Sequence, residues 1–372
     1  MVLLLRRLLI ISCCIVLMAC STPRGAGFLS EVLATDEAVD AQGAPVYDFA
    51  VFSVTRANIH TFSRWPDLGA NRLGWVKREP QPALLIIASG DLLSIVIWDA
   101  EENSLLTGAG QRSVNLQDTP VSSTGHIFIP FVGQMHVAGM SSETTRDQIE
   151  DRLKETIPSA QVQLSVKPGR ANTANLVSGV GKPGVYPLPD RDFTLLSLLS
   201  QGGGVRPDMN NPQVRLLRRS KSYQTSLARV YEDPTMDTTL QGGDRVIVEP
   251  DTRSFLSLGA TGSEARHEFF KDKMTVLDAI AIVGGVSDAR ANPQGVLILR
   301  NYPANAVRTD GSGPHKVRVV FTIDLTSADG LFSAGKFALM PDDLVYATES
   351  PVNAAVTIFG LFGSVIGLAN RL

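Results

Sequence analysis

Thr194-Leu-Leu-Ser-Leu-Leu-Ser-Gln-Gly-Gly-Gly-Val205 and Thr275-Val-Leu-Asp-Ala-Ile-Ala-Ile-Val-Gly-Gly-Val286 decide the fold, because they are one pattern written twice at an offset of 81 residues. The match continues with Val214-Arg-Leu-Leu-Arg-Arg219 against Val296-Leu-Ile-Leu-Arg-Asn301. Gly243-Asp244-Arg-Val-Ile-Val248 is then echoed by Asp342-Asp343-Leu-Val-Tyr346. Self-similarity at a fixed period implies two copies of one domain.

Both copies read alike. A strand (Ala174 to Val180; Phe255 to Ala260) precedes a short helix with apolar residues at i, i+3 and i+4. The helix stops at a Gly-Gly pair suited to left-handed C-cap geometry, and apolar-rich strands follow. Thr194 and Thr275 stand at N-cap positions, with Asp278 completing part of a capping box. Each copy is a small α+β unit.

A different unit lies upstream, from about Pro82 to Pro168. Leu84 to Ile87, Gly90-Asp91-Leu-Leu-Ser-Ile-Val-Ile97 and Gly125-His-Ile-Phe-Ile-Pro-Phe131 read as strands. Ser141 caps an amphipathic helix that runs to Lys154, and Gln161 to Val166 alternates as a strand does.

Both ends of the chain point to a membrane. No charge occurs from Ser350 to Asn370, and a helix of about 21 residues is ~31 Å long, enough to cross a bilayer. On that helix Asn353, Thr357, Gly360, Ser364 and Gly367 form a small and polar stripe, suited to facing water or another helix. Ile358, Phe359, Phe362, Val365 and Ile366 form the opposite, lipid-facing side. A buried amphipathic helix of a soluble domain is the competing reading.

At the other end, Arg6 and Arg7 precede an apolar run and then Leu17-Met18-Ala19-Cys20-Ser21, the order of a secretory signal. Leu-x-Ala-Cys resembles the lipobox of bacterial lipoproteins, which implies lipidation of Cys20 after removal of residues 1–19. The other two cysteines, Cys13 and Cys14, leave with the signal, so the remaining chain can form neither an intramolecular disulfide nor a cysteine zinc site. The formal net charge of −3 becomes more negative without the two arginines, which gives no reason to expect nucleic acid.

Several patterns look catalytic and are set aside. Gly179-x-Gly181-x-x-Gly184 is followed by Val-Tyr-Pro rather than by the helix that a dinucleotide site needs. Gly330-Leu-Phe-Ser-Ala-Gly-Lys336 approaches a phosphate loop, but Phe337 stands where Ser or Thr is required. His60, His126, His136, His267 and His315 form no pair at helical metal-ligand spacing. Glu101-Glu102 and Asp342-Asp343 read as solvated loops, with nothing to pair them as glycosidase carboxylates. Neither an enzyme, a metal nor a cofactor is expected.

The chain resembles the Wza-type outer-membrane polysaccharide export proteins. The matching signatures are Gly90-Asp91-Leu-Leu-Ser-Ile-Val-Ile-Trp98, Gly125-His-Ile-Phe-Ile-Pro-Phe-Val-Gly133 and Val177-Ser-Gly-Val-Gly-Lys-Pro-Gly-Val-Tyr-Pro187. The resemblance implies an α+β fold: a polysaccharide-export domain and two soluble-ligand-binding β-grasp repeats, with a C-terminal transmembrane helix that joins an oligomeric α-helical barrel. The domains would be a signal peptide (1–19), an N-terminal segment that threads back onto later domains (20–81), the export domain (82–170), two β-grasp domains (171–252 and 253–349) and the outer-membrane helix (350–372). The second copy lacks the Lys-Pro-Gly turn of the first, so its assignment rests on the helix and the Gly-Gly pair.

The resemblance further implies a homo-oligomeric ring, typically of eight chains. This ring would be anchored in outer-membrane lipid with its bulk in the periplasm, and would pass polysaccharide received from an inner-membrane copolymerase or ABC transporter. The pore would be lined by the polar stripe. The alternative is a periplasmic glycan-binding or scaffold lipoprotein without a pore.

Overall fold

The computed structural model describes residues 25–34, 48–69, 73–81, 84–99 and 111–352. They form two compact units, one of described residues between 71 and 251, the other of those up to 70 together with those from 252 onward. In chain order, α1 (Leu29–Val32), β1 (Phe49–Ser53) and α2 (Ile59–Phe62) come first and belong to the latter unit.

The unit of residues 71–251 holds two sheets and a hairpin. β2 (Leu92–Trp98) lies between β3 (Ser113–Pro120) and β6 (Gln161–Lys167), antiparallel to both. β4 (His126–Ile129) and β5 (Gly133–His136) form the hairpin. Period-2 alternation turns Leu93, Ile95 and Ile97 of β2 inward, where they meet Ile127, Ile129, Ile149 and Leu153. α3 (Ser142–Lys154) supplies the last two, and its N-cap Ser141 accepts the Thr144 amide at 3.1 Å.

The first repeat follows as β7 (Thr173–Ser178), β8 (Gly184–Pro187), α4 (Leu195–Gln201), β9 (Gln213–Arg218), β10 (Lys221–Ser226), α5 (Leu227–Glu232) and β11 (Arg245–Glu249). Its sheet has the order β10-β9-β11-β7-β8, with only β11 and β7 parallel. α4 buries Leu195, Leu198 and Leu199 against this sheet, the i, i+3, i+4 set that the sequence predicts.

The second repeat reproduces this arrangement with β12 (Ser254–Gly259), β13 (Ala265–Glu268), α6 (Val276–Ile282), β14 (Ala291–Asn301), β15 (Arg318–Ile323), α7 (Ala328–Ala334) and β16 (Leu344–Glu349). Its order, β15-β14-β16-β12-β13, is the same. Thr194 and Thr275 both cap their helices, the latter in a capping box with Asp278. Both helices then run into two consecutive left-handed glycines, Gly203 and Gly204 (φ +79° and +76°) and Gly284 and Gly285 (φ +81° and +84°). A side chain would strain both positions, which is why the Gly-Gly pair recurs.

The two repeats differ at one edge. β1 adds in parallel to β15, from Phe49 opposite Arg318 to Ser53 opposite Thr322, so the second sheet has six strands. Behind it Phe62 and Trp65 enter the core, with ring centroids 5.1 Å apart and Phe62 5.2 Å from Phe321. The Trp65 indole donates to the Gly311 carbonyl at 3.2 Å. Residues 48–69 thus complete the second repeat.

One expectation is corrected. Among the described residues no helix is long and apolar enough to cross a membrane. These helices have 4 to 13 residues, against the roughly 20 that a span requires. Each is a short cover on a sheet or a connection between strands. The fold class of the described residues is therefore mixed α/β sheets, with no transmembrane helix among them. Asn353, Thr357, Gly360, Ser364 and Gly367, together with Ile358, Phe359, Phe362, Val365 and Ile366, lie outside the described residues, as does Cys20.

Two smaller departures concern strands. Leu84 to Ile87 contributes a single bridge, Ile86 to Ser141, rather than a strand. β3, with its polar sequence Ser-Val-Asn-Leu-Gln-Asp-Thr-Pro, carries no clear alternation and goes unnoticed until its pairing with β2 is seen.

Trp65→Ala should destabilise the second repeat by about 3–5 kcal/mol through loss of contacts and a residual cavity. An unchanged denaturation midpoint would contradict the role given to residues 48–69.

Candidate functional site

A buried ion pair stands at the same place in each repeat. Arg218 ends β9, and its guanidinium meets the Asp244 carboxylate at 3.0 and 2.6 Å. Arg300 in β14 meets Asp343 at 2.8 and 2.7 Å. The side chains of Asp244 and Asp343 are 1% and 0% exposed, so each needs its partner.

Both pairs fasten the loop that leads into the last strand. Arg218 donates to the Thr239 carbonyl at 2.8 Å and Arg300 to that of Ala338 at 2.9 Å. The carboxylates in turn accept the amides of Gln241 and Met340, each at 2.8 Å. Arg300 also donates to the Tyr302 hydroxyl at 3.1 Å and lies 5.3 and 5.2 Å from the ring centroids of Phe321 and Phe337. Burial would lower the Arg300 pKa, but the Asp343 carboxylate more than offsets this and holds it above its ordinary value.

A cleft opens over each pair. In the first repeat it encloses about 350 Å³ above Arg218 and the loop Thr238 to Gly242. In the second it encloses about 290 Å³ above Arg300 and the loop Phe337 to Pro341. Asn172 and Arg191 line the first, and their counterparts Arg253 and Asp272 line the second. An upstream segment forms a wall in both cases, through Val76, Lys77 and Glu79 in the first and Phe62, Trp65 and Asp67 in the second.

Hydrogen bonds hold these walls. The Trp75 indole donates to the Met236 carbonyl at 2.7 Å, and Arg78 pairs with Asp192 at 2.7 Å. Buried Asp91, in the turn before β2, accepts from the amides of Ala88 and Gly169 and from the Asn172 side chain at 2.7–2.8 Å. Asn172 donates as well to the Ile86 carbonyl at 3.0 Å. One carboxylate thereby ties the β2 turn to the start of the first repeat, beside the cleft.

The patterns set aside from sequence fall as follows. Gly179 is left-handed in a turn that leads into β8, not into a helix. Gly330 to Ala334 lies in α7, and Phe337 is buried. Asp343 does not sit in a solvated loop, because Arg300 draws it into the interior. Glu101 and Glu102 lie outside the described residues. His126 and His136 come together across the β4–β5 hairpin, with centroids 4.9 Å apart, a pairing that helical spacing cannot reveal. Among the described residues no group of three or more potential ligands is placed to hold a metal.

The buried pairs escaped the sequence reading although their signal was present. Arg218 and Arg300 are charged residues in apolar strands at matching repeat positions, and Asp244 and Asp343 match likewise.

The family profile of polysaccharide biosynthesis/export proteins matches residues 79–167, and that of the SLBB domain matches residues 175–248. The EPS I polysaccharide export outer membrane protein EpsA of Ralstonia solanacearum is 30% identical over 280 residues, 70% of each chain. The chain belongs to the outer-membrane polysaccharide export family. The capsule polysaccharide export protein BexD of Haemophilus influenzae is 27% identical over 282 residues, 71% of each chain. The Vi polysaccharide export protein VexA/TviF of Salmonella typhi is 23% identical over 304 residues, 81% of each. In this export protein the SLBB match begins within β7 and ends within β11, so the first cleft lies in the SLBB domain and against the export domain before it.

Arg300→Met leaves Asp343 buried without a counter-charge and should cost about 3–5 kcal/mol in urea denaturation. Adding Asp343→Leu should restore most of the loss, since a matched apolar pair replaces the ions. A double variant no more stable than the single one would show that the pair is not the unit of stabilisation.

Proposed function

We propose that this chain carries capsular or extracellular polysaccharide out across the outer membrane as a passive component. The observation that carries the reading is the likeness to export proteins over at least 70% of both chains, in a chain that matches an export-protein profile followed by an SLBB profile. The second repeat, with the same strand order, buried pair and cleft, is proposed to be a second SLBB domain. The energy for transport is assigned to an inner-membrane partner, a copolymerase or an ABC transporter, because neither glycine-rich pattern in this chain has the form of a nucleotide site.

Several copies, eight in the reading from resemblance, would enclose the path of the polymer, and closed rings are the usual way for identical chains to do so. The signal ending in Cys20 supports a lipid anchor that holds the protein at the outer membrane with its bulk in the periplasm. The clefts give the sheets a surface on which a sugar chain can rest without being cleaved.

A strain lacking the chain should lose surface polysaccharide and accumulate polymer in the periplasm, and the intact gene should restore export. Normal surface polysaccharide in the deletion strain would overturn the reading in favour of a glycan-binding scaffold. Cys20→Ser should shift the protein out of the outer-membrane fraction. Its retention there would remove the lipid anchor from the account.

A further inference from the structure

The first repeat carries a strip of positive charge that its fold does not use. The first cleft is lined by Lys77, Arg191 and Arg219. Arg219 also borders an adjoining groove of about 280 Å³, whose other charged residues are Lys221 and Arg245. Two hydroxyls, those of Ser220 and Ser222, line this groove, and among the described residues no carboxylate does.

Neighbouring basic residues behave differently. Arg78, Arg215 and Arg218 are paired with Asp192, Glu249 and Asp244 and hold the domain together. The five residues of the strip are exposed and make no ion pair among the described residues. Two carboxylates, Glu79 and Asp190, face them from the cleft. This excess of positive charge stands on a chain whose formal net charge is −3.

The second repeat serves as an internal control. The position of Arg219 holds Asn301 there and that of Arg245 holds Leu344, and β1 covers the edge that corresponds to β10. The same strand order forms without the strip. The strand order therefore does not require basic residues at the positions of Arg219 and Arg245, although Lys273 and Lys336 line the second cleft.

We propose that this strip, running from Lys77 and Arg191 through Arg219 to Lys221 and Arg245, binds a polysaccharide that carries a carboxylate on its repeating unit. The proposal rests on the export reading and names the polymer class. A cleft and a groove that share Arg219 present the charges along a concave path, which suits an extended chain and keeps the charges from contact with a flat bilayer. Each exposed charge contributes little alone, but a lined groove focuses the field and raises the local concentration of an oppositely charged polymer. Serine hydroxyls supply hydrogen bonds to sugar hydroxyls between the carboxylates. Binding spread over many weak contacts lets the polymer advance without a deep trap.

The test uses the full-length protein in detergent, titrated with oligogalacturonate, with neutral dextran oligosaccharide and with phosphatidylglycerol vesicles. Oligogalacturonate should bind at least about tenfold more tightly than dextran, and its affinity should fall about tenfold as salt rises from about 20 to 300 mM. Arg219→Asn with Lys221→Gln and Arg245→Gln should lose about tenfold in oligogalacturonate affinity with an unchanged melting temperature. Equal affinity for acidic and neutral sugars, or full affinity in the triple variant, would overturn the proposal. Preference for the vesicles, abolished in that variant, would assign the strip to a membrane surface instead. Export by the deletion strain is measured separately, so loss of surface polysaccharide there beside a failed titration would leave the export reading intact and remove only the acidic polymer.

Discussion

The buried arginine–aspartate pair is the constraint on which each repeat depends. A buried aspartate must be neutralised, and among the described residues the counter-charge is a guanidinium that enters from the adjacent strand. Once paired bidentately, arginine has further N–H groups to direct, and it directs them to the loop before the last strand. Strand, loop and strand are thereby held together, and the loop becomes the floor of a cleft. A polar interaction that adds little net stability still fixes where the concave surface lies.

The repeats then diverge at their edges. Arg78 and Trp75 fasten an upstream segment to the first repeat, and β1 with Phe62 and Trp65 completes the second as a sixth strand and an aromatic layer. An uncovered strand edge invites pairing with other chains, and in the second repeat β1 occupies the edge of β15. The groove of Lys221 and Arg245 lies at the edge turn Arg219-Ser220 of the first repeat. One domain, used twice, gives a structural copy and a copy with an unspent charge pattern.

Much of this was legible because it is local. The helices of both repeats, their threonine caps, the left-handed glycine pairs and the capped helix α3 follow from spacing within a dozen residues. The repeat itself is visible as self-similarity. Pairings between distant segments were not legible. Nothing in Phe49 to Ser53 names β15 as its partner, and Asp343 resembles any aspartate beside another until Arg300 is found against it. His126 and His136 meet only because the hairpin register places them opposite each other. The expected membrane helix was read from hydropathy over residues 350–372. The described residues end just after β16, at Val352, and no helix among them is long and apolar enough to cross a membrane.

The most direct measurement is native-state hydrogen exchange at the amides of Gln241 and Met340, which donate to Asp244 and Asp343. Both lie in loops, where amides ordinarily exchange through small local openings. If the buried pairs organise the repeats, these two amides exchange as slowly as those of β9 and β14, since releasing them requires opening the core. Exchange at the rate of exposed loops would contradict the account, because the pairs would then be passengers of a fold held by its sheets alone.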